Sequence, residues 1–258
     1  MIEDIKRKKG IQSILIYLIV FYIVAAVIQI GMISILQIFH LDITSQNIQN
    51  VASSLMNFLT YLVLFISLIY ILGKDIKAEF ITFKENEKNK TMTILASFGI
   101  FYIISLFFQN LVLSIEESYN LGQKLMGMTD FINTTSDNQT VIEQMMKSAG
   151  AIPMFLSAVV LGPICEELVF RKAFFDIIKK PEIALIVSSL VFGSIHIFSS
   201  IGFYSALEIF LMTIPYVASG VALGYIYIRS KQNIWIPIIV HTLSNFISMI
   251  GIIGMMGA

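Results

Sequence analysis

Charge is what this sequence most lacks: only 13% of its 258 residues are Asp, Glu, Lys or Arg, where a soluble domain carries about a quarter. Seventeen Lys and Arg balance seventeen Asp and Glu, so the formal net charge is zero. That balance excludes the basic face of a nucleic-acid-binding protein. A single cysteine, Cys165, excludes an intramolecular disulfide and a multi-cysteine zinc site. What takes the place of charge is apolar: 57% of the residues are hydrophobic and the mean hydropathy is +0.83. Disorder and an ordinary soluble fold are both ruled out, leaving a polytopic membrane protein.

A helix needs about 20 mostly apolar residues to cross a bilayer core. Windows without Asp, Glu, Lys or Arg occur at 11–39, 51–73, 91–115, 149–165, 183–207, 209–228 and from 234 to the C-terminus. Backbone groups in lipid must bond within their own segment, so each window predicts a helix. The expected fold is an all-α polytopic bundle of about seven transmembrane helices, a single membrane domain over 1–258. Residues 1–148 supply three spans and a long outer loop (116–148), and 149–258 form the functional core in helices four to seven. Lys6, Arg7, Lys8 and Lys9 look like a signal-peptide n-region. The apolar run that follows far exceeds the usual h-region of about 7–15 residues and has no A-x-A site, so it predicts a permanent anchor.

Lys and Arg set the orientation. With the N-terminus in the cytoplasm and seven crossings, fifteen of the seventeen fall on the cytoplasmic side, leaving Lys124 and Lys147 outside. The C-terminus is then expected outside. Abundant Lys and Ile beside only three Arg point to an AT-rich, bacterial genome and hence to a plasma membrane. The outer loop contains a polar stretch with turn character at 133–139.

Ionisable side chains inside spans are costly and mark functional sites. They cluster here in three places. In Glu166-Glu167-Leu-Val-Phe-Arg171 the two carboxylates point about 100° apart on a helix, and Glu167 shares a face with Arg171. Arg171 can hold Glu167, leaving Glu166 with no local cation and suited to general-base work. Taken alone, the motif equally describes solvated charge at a helix end. Pro163 frees the carbonyl of Val159 and can bend the helix. The second cluster is Phe192-Gly-Ser-Ile-His196 and the third His241-Thr-Leu-Ser-Asn245; each alone fits structural hydrogen bonding between helices. At 1.5 Å per residue Glu166 lies ~20 Å and His196 ~22 Å from the cytoplasmic end, provided the fourth helix continues past Arg171. His241 lies ~12 Å in and needs tilt or a deeper start to join them.

These three motifs, in this order on separate spans, resemble the CAAX prenyl protease and bacteriocin-processing family (CPBP, Abi), whose eukaryotic members are endopeptidases that trim prenylated CAAX proteins. The matching residues are Glu166, Glu167 and Arg171; Phe192 and His196; His241 and Asn245. The resemblance covers roughly 150–250. It implies an intramembrane endopeptidase acting on a membrane-associated protein or peptide that arrives from the lipid bilayer. Glu166 would activate a water, His196 would hold it and shuttle its proton, and His241 and Asn245 would donate to the oxyanion. Glu167 and Arg171 would orient the site.

The family is commonly labelled metalloprotease, and Glu166, His196 and His241 are acceptable zinc ligands. The sequence lacks H-E-x-x-H, however, and using one histidine as an oxyanion donor leaves a poor zinc site. Metal-independent catalysis without a cofactor is therefore the preferred reading, with Zn2+ as the alternative. Acidic neighbours oppose a Cys165 thiolate, which argues against a cysteine nucleophile. Gly220-x-x-x-Gly224 reads as helix packing within the chain. Glu208 is expected at the outer interface, His40 at the end of the first span, and Gln109 and Asn110 as interhelical glue. A non-enzymatic membrane scaffold or bacteriocin-immunity protein is the competing function; the oligomeric state is open.

Overall fold

The computed structural model describes residues 2–85, 90–134 and 137–256. Lys88 and part of the polar 133–139 stretch lie outside them. The described chain is helical throughout, with one isolated bridge between Ile201 and Tyr204. Eight helices follow in order: α1 Ile2–Ile38, α2 Gln46–Glu85, α3 Lys90–Leu125, α4 Asp137–Met146, α5 Ala151–Ile177, α6 Pro181–His196, α7 Ala206–Arg229 and α8 Trp235–Met256. Six are long and apolar enough to cross a membrane, and α6 is a shorter apolar helix. The protein is a helical membrane bundle.

Local chemistry accounts for the element ends. Pro181 opens α6, where its missing N–H costs nothing. Ser205 and Glu208 form a reciprocal capping box at the start of α7. The hydropathy window at 183–207 spans this boundary because it contains no charge. The structure ends α6 at His196, follows it with a 3₁₀ turn at Phe198–Ser200, and begins α7 after Ser205. The fifth expected span is thus 16 residues long, about 24 Å. Hydroxyls on the apolar helices fold back onto their own carbonyls: Ser54 on Asn50, Thr60 on Met56 and Ser67 on Val63, each at 2.8 Å. This is how polar side chains are satisfied where water is scarce. Asn110 does the same, donating to Leu106 of its own helix at 2.7 Å rather than bridging helices.

The central element is α5. Within its most apolar stretch 56% of residues are buried inside the protein, against 6% for α3. Its first half packs on α2 and α8, and its second half on α1. It is also irregular: Leu156–Leu161 and Leu168–Ala173 are π-helical, flanking the α-helical hexapeptide Gly162–Glu167. Pro163 sits at the start of that hexapeptide. The bend expected there takes the form of a widened turn, a feature frequent at functional sites. Gly162 is required at this point, since a Cβ would lie 2.9 Å from the Ser157 carbonyl.

The α6–α7 pair makes the most extensive helix contact. Gly193 and Gly220 let the two backbones approach: a Cβ on Gly193 would lie 2.4 Å from Val217, and one on Gly220 3.1 Å from Ser189. The Gly220-x-x-x-Gly224 motif therefore serves packing within the chain. At the opposite end of the bundle from the N-terminus, the described part of the segment after α3 is folded down. Asn120 pairs with both backbone groups of Ile132 at 2.8 and 2.9 Å. Glu116 accepts from Thr134, and Glu208 accepts from the Asn133 N–H at 3.0 Å.

Candidate functional site

Three helices and one aromatic ring build the candidate site. Glu166 and Glu167 project from the hexapeptide of α5 between its two π turns. Both are buried, Glu167 completely. The helix does run on past Arg171, to Ile177, so the three motif helices can reach a common depth. The start of α8 is fixed by Glu79 of α2, whose carboxylate receives the Ile234 N–H at 2.9 Å and pairs with Lys172 of α5. Its carbonyl receives the Asn233 amide at 2.9 Å. This clamp anchors α8 so that His241 reaches the carboxylates.

His241 Nδ1 lies 2.9 Å from Glu167 Oε1, and its Nε2 lies 3.8 Å from Glu166 Oε2. A carboxylate only accepts, so Nδ1 carries the proton in that bond. Arg171 Nε lies 3.2 Å from Glu167 Oε2 with both side chains fully buried. The pair is close enough for ionic attraction but off the line of a hydrogen bond, and among the described residues no hydrogen-bond acceptor reaches the guanidinium nitrogens. The guanidinium carbon instead stands 5.3 Å from the centre of the Phe192 ring, a cation–π contact. One continuous chain of charge and hydrogen bonding therefore runs from Arg171 through Glu167 and His241 to Glu166.

Phe192 is the hub. Its ring centre is 4.5 Å from that of His196, 6.2 Å from that of His241 and 5.4 Å from that of Phe170. His196 is also stacked on Tyr216 at 4.7 Å. Its Nδ1 lies 2.7 Å from the Phe192 carbonyl. A carbonyl also only accepts, so Nδ1 is the protonated nitrogen, leaving Nε2 free. Asn245, one turn beyond His241, gives an Nδ2 hydrogen to the Ala158 carbonyl at 2.8 Å. That carbonyl belongs to the π turn Leu156–Leu161, and the amide keeps a second hydrogen and its oxygen. The structure thus brings Glu166, Glu167, Arg171 and His241 into direct contact. It sets His196 one ring away and ties Asn245 to the backbone of the same helix that carries the carboxylates.

Sequence reasoning passed over Tyr61. It sits in the middle of α2, donates to Glu166 Oε1 at 2.9 Å, and its carbonyl receives the Cys165 thiol at 3.8 Å. The signal was available, because a tyrosine in mid-span needs a hydroxyl partner. Cys165 itself is fully buried, without access for a nucleophile. The zinc alternative assigned Glu166, His196 and His241 as ligands. Among the described residues, however, no three His, Cys, Asp or Glu side chains gather closely enough to hold an ion.

Two curated bacterial proteins are similar to this chain. Over 181 residues, 67% of this chain and 47% of its own, an "Uncharacterized protein" of Mycoplasma capricolum subsp. capricolum (strain California kid) is 30% identical. Over 148 residues, 56% of this chain and 50% of its own, a "Putative membrane peptidase YdiL" of Bacillus subtilis is also 30% identical. The chain spans about half the length of these curated relatives. No solved structure matches it. Residues 148–247 match the type II CAAX prenyl endopeptidase Rce1-like family. That stretch holds every motif residue gathered around Phe192, and over it the chain is similar to the Rce1-like family.

Proposed function

We propose that this chain is an intramembrane endopeptidase that hydrolyses a peptide bond in a membrane-associated protein or peptide, using water activated by Glu166. The observation that carries the reading is the buried chain Arg171–Glu167–His241–Glu166. Three of its links are committed to one another, while Glu166 Oε2 lies 3.8 Å from His241 Nε2, beyond hydrogen-bond reach. A water seated against both atoms would lose a proton to Glu166 as its oxygen attacks the substrate carbonyl carbon. The proton then passes to the amide nitrogen as the C–N bond breaks, giving a carboxylic acid and an amine. His196 Nε2 is the acceptor available to hold the water and shuttle that proton.

His241 Nε2 and the second Asn245 hydrogen are the donors for the oxyanion, aimed before the charge develops. Donation from Nε2 requires the doubly protonated ring, for which Glu166 and Glu167 supply counter-charges on either side. The test is Glu166→Gln. Two probes serve: an internally quenched fluorescent peptide carrying a farnesylated cysteine, and the same peptide fused to a single apolar transmembrane segment. A non-enzymatic scaffold or immunity protein would leave both uncut by the wild type.

Metal-independent catalysis stays the preferred reading, because the sequence lacks H-E-x-x-H and one of the two site histidines is needed as an oxyanion donor. Treatment with 1,10-phenanthroline or EDTA is expected to leave turnover unchanged, with zinc well below one per chain by elemental analysis. Loss of activity restored by added zinc would reverse that reading.

The distribution of Lys and Arg, together with similarity to two bacterial proteins, supports a bacterial plasma membrane with the N-terminus inside and the C-terminus outside. Because Cys165 is buried, Asp130→Cys in the exposed outer segment provides a clean reporter. A membrane-impermeant maleimide is expected to label it from outside intact cells. Labelling only after permeabilisation would invert the topology.

A further inference from the structure

The family match ends the site at residue 148 on its N-terminal side, yet one atom of the candidate base is held from the other half of the chain. The Tyr61 hydroxyl of α2 donates to Glu166 Oε1 at 2.9 Å. The ring is held in place. Gly162 lies beside it, where even a Cβ would stand at ordinary contact distance, 3.7 Å from Cε1 and Cζ of the tyrosine. Phe21 of α1 packs edge-on against it at 5.4 Å and 82°. Phe21 in turn rests on Tyr17, whose ring meets Phe170 of α5 at 5.6 Å. The phenol is therefore clamped between α1 and the hexapeptide that carries the carboxylates.

We infer that Tyr61 is a positioning residue for the reaction: by occupying Glu166 Oε1 it fixes the rotamer of the base and leaves Oε2, on the His241 side, as the oxygen that takes the proton. Glu167 has each oxygen facing a partner of its own, Oε1 on His241 and Oε2 on Arg171. Glu166 has one oxygen held and one turned toward the second imidazole nitrogen. A glutamate side chain has three rotatable bonds, and losing the phenol would let the carboxylate sample orientations unable to reach the water. The inference rests on the reading of Glu166 as base, and it makes α2 part of the catalytic unit rather than a passive span.

Tyr61→Phe keeps the ring, its packing and the Gly162 contact, and removes only the donor. With whichever of the two quenched peptides the wild type cleaves, kcat is expected to fall about 10- to 100-fold, the weight of one hydrogen bond to a charged group. KM is expected to stay at the wild-type value, while the unfolding midpoint in detergent falls modestly because a buried carboxylate oxygen loses its donor. A merely structural tyrosine would lower the midpoint and move kcat and KM together, and that outcome overturns the inference. So does cleavage that is abolished by Glu166→Gln but unchanged in Tyr61→Phe, in which case the base assignment survives alone. If the wild type cleaves neither peptide, or Glu166→Gln cleaves at the wild-type rate, the proposed function fails and takes this inference with it.

Discussion

Glu166→Gln is expected to lower kcat by about 10²- to 10⁴-fold, the range that positioned general acid–base groups contribute, while the protein folds and binds as before. The amide is nearly isosteric with the carboxylate. Its oxygen can still accept from Tyr61 at the Oε1 position. What it cannot do is take a proton, and no neighbouring group substitutes. Glu167 is two bonds deep in the ion-pair chain, engaged by His241 on one oxygen and facing Arg171 on the other. Cys165 is buried, and its thiol donates to the Tyr61 carbonyl. Because the fold should be untouched, the informative comparison is between kcat and the unfolding midpoint in the same detergent. Glu166→Ala should give the same kinetic loss, with the tyrosine hydroxyl left unpartnered as an added cost to stability. Cleavage of the probe peptides at undiminished rate by both variants would end the case for this residue as the base. A loss that appears in Glu166→Ala but not in Glu166→Gln would make Glu166 a structural acceptor for Tyr61 and nothing more.

Much of the scaffold behind that result is legible in the sequence. The charge-free windows fall on the long helices, since cost in hydrocarbon is a property of composition alone. The three motifs are separated by the right amounts of apolar chain to meet, and Glu167–Arg171 pair at four residues' spacing as helical geometry demands. What composition does not encode is where a helix stops inside an uncharged run. Ser205 and Glu208 close a capping box that a hydropathy window cannot see, so α6 is shorter than the 183–207 window. Nor does it encode the two π turns of α5, beyond the irregularity that Pro163 signals next to the first. Tyr61 escapes a composition-based reading for a related reason: nothing in a span's hydropathy says which carboxylate a mid-span hydroxyl will meet. The role of Phe192 was also only half visible. As part of F-x-x-x-H it marks the turn before His196, but that its ring meets both imidazoles and backs the guanidinium follows only from three helices meeting there.

Arg171→Met is expected to destabilise the protein by about 3–5 kcal/mol, the cost of leaving a buried charge without its partner. The pair is an extreme case of burial: Arg171 and Glu167 are both fully inaccessible, and the surroundings that would compensate are apolar, with Leu185 near the guanidinium stem and Phe192 over its face. Reversible unfolding in mixed micelles measures the loss directly. The physical account makes a sharper demand of the double variant Glu167→Leu/Arg171→Met. Replacing a buried ion pair by apolar side chains of similar size is often neutral or stabilising, so much of the lost stability should return. Activity should not return with it, because His241 Nδ1 would have no acceptor at 2.9 Å to hold its ring toward Glu166. Stability and catalysis would then come apart at one pair of residues, with the ions retained for the orientation of His241. A double variant that is both stable and active would remove Glu167 and Arg171 from the mechanism. A single Arg171→Met variant as stable as the wild type would mean that the charge on Glu167 is already balanced by His241 alone.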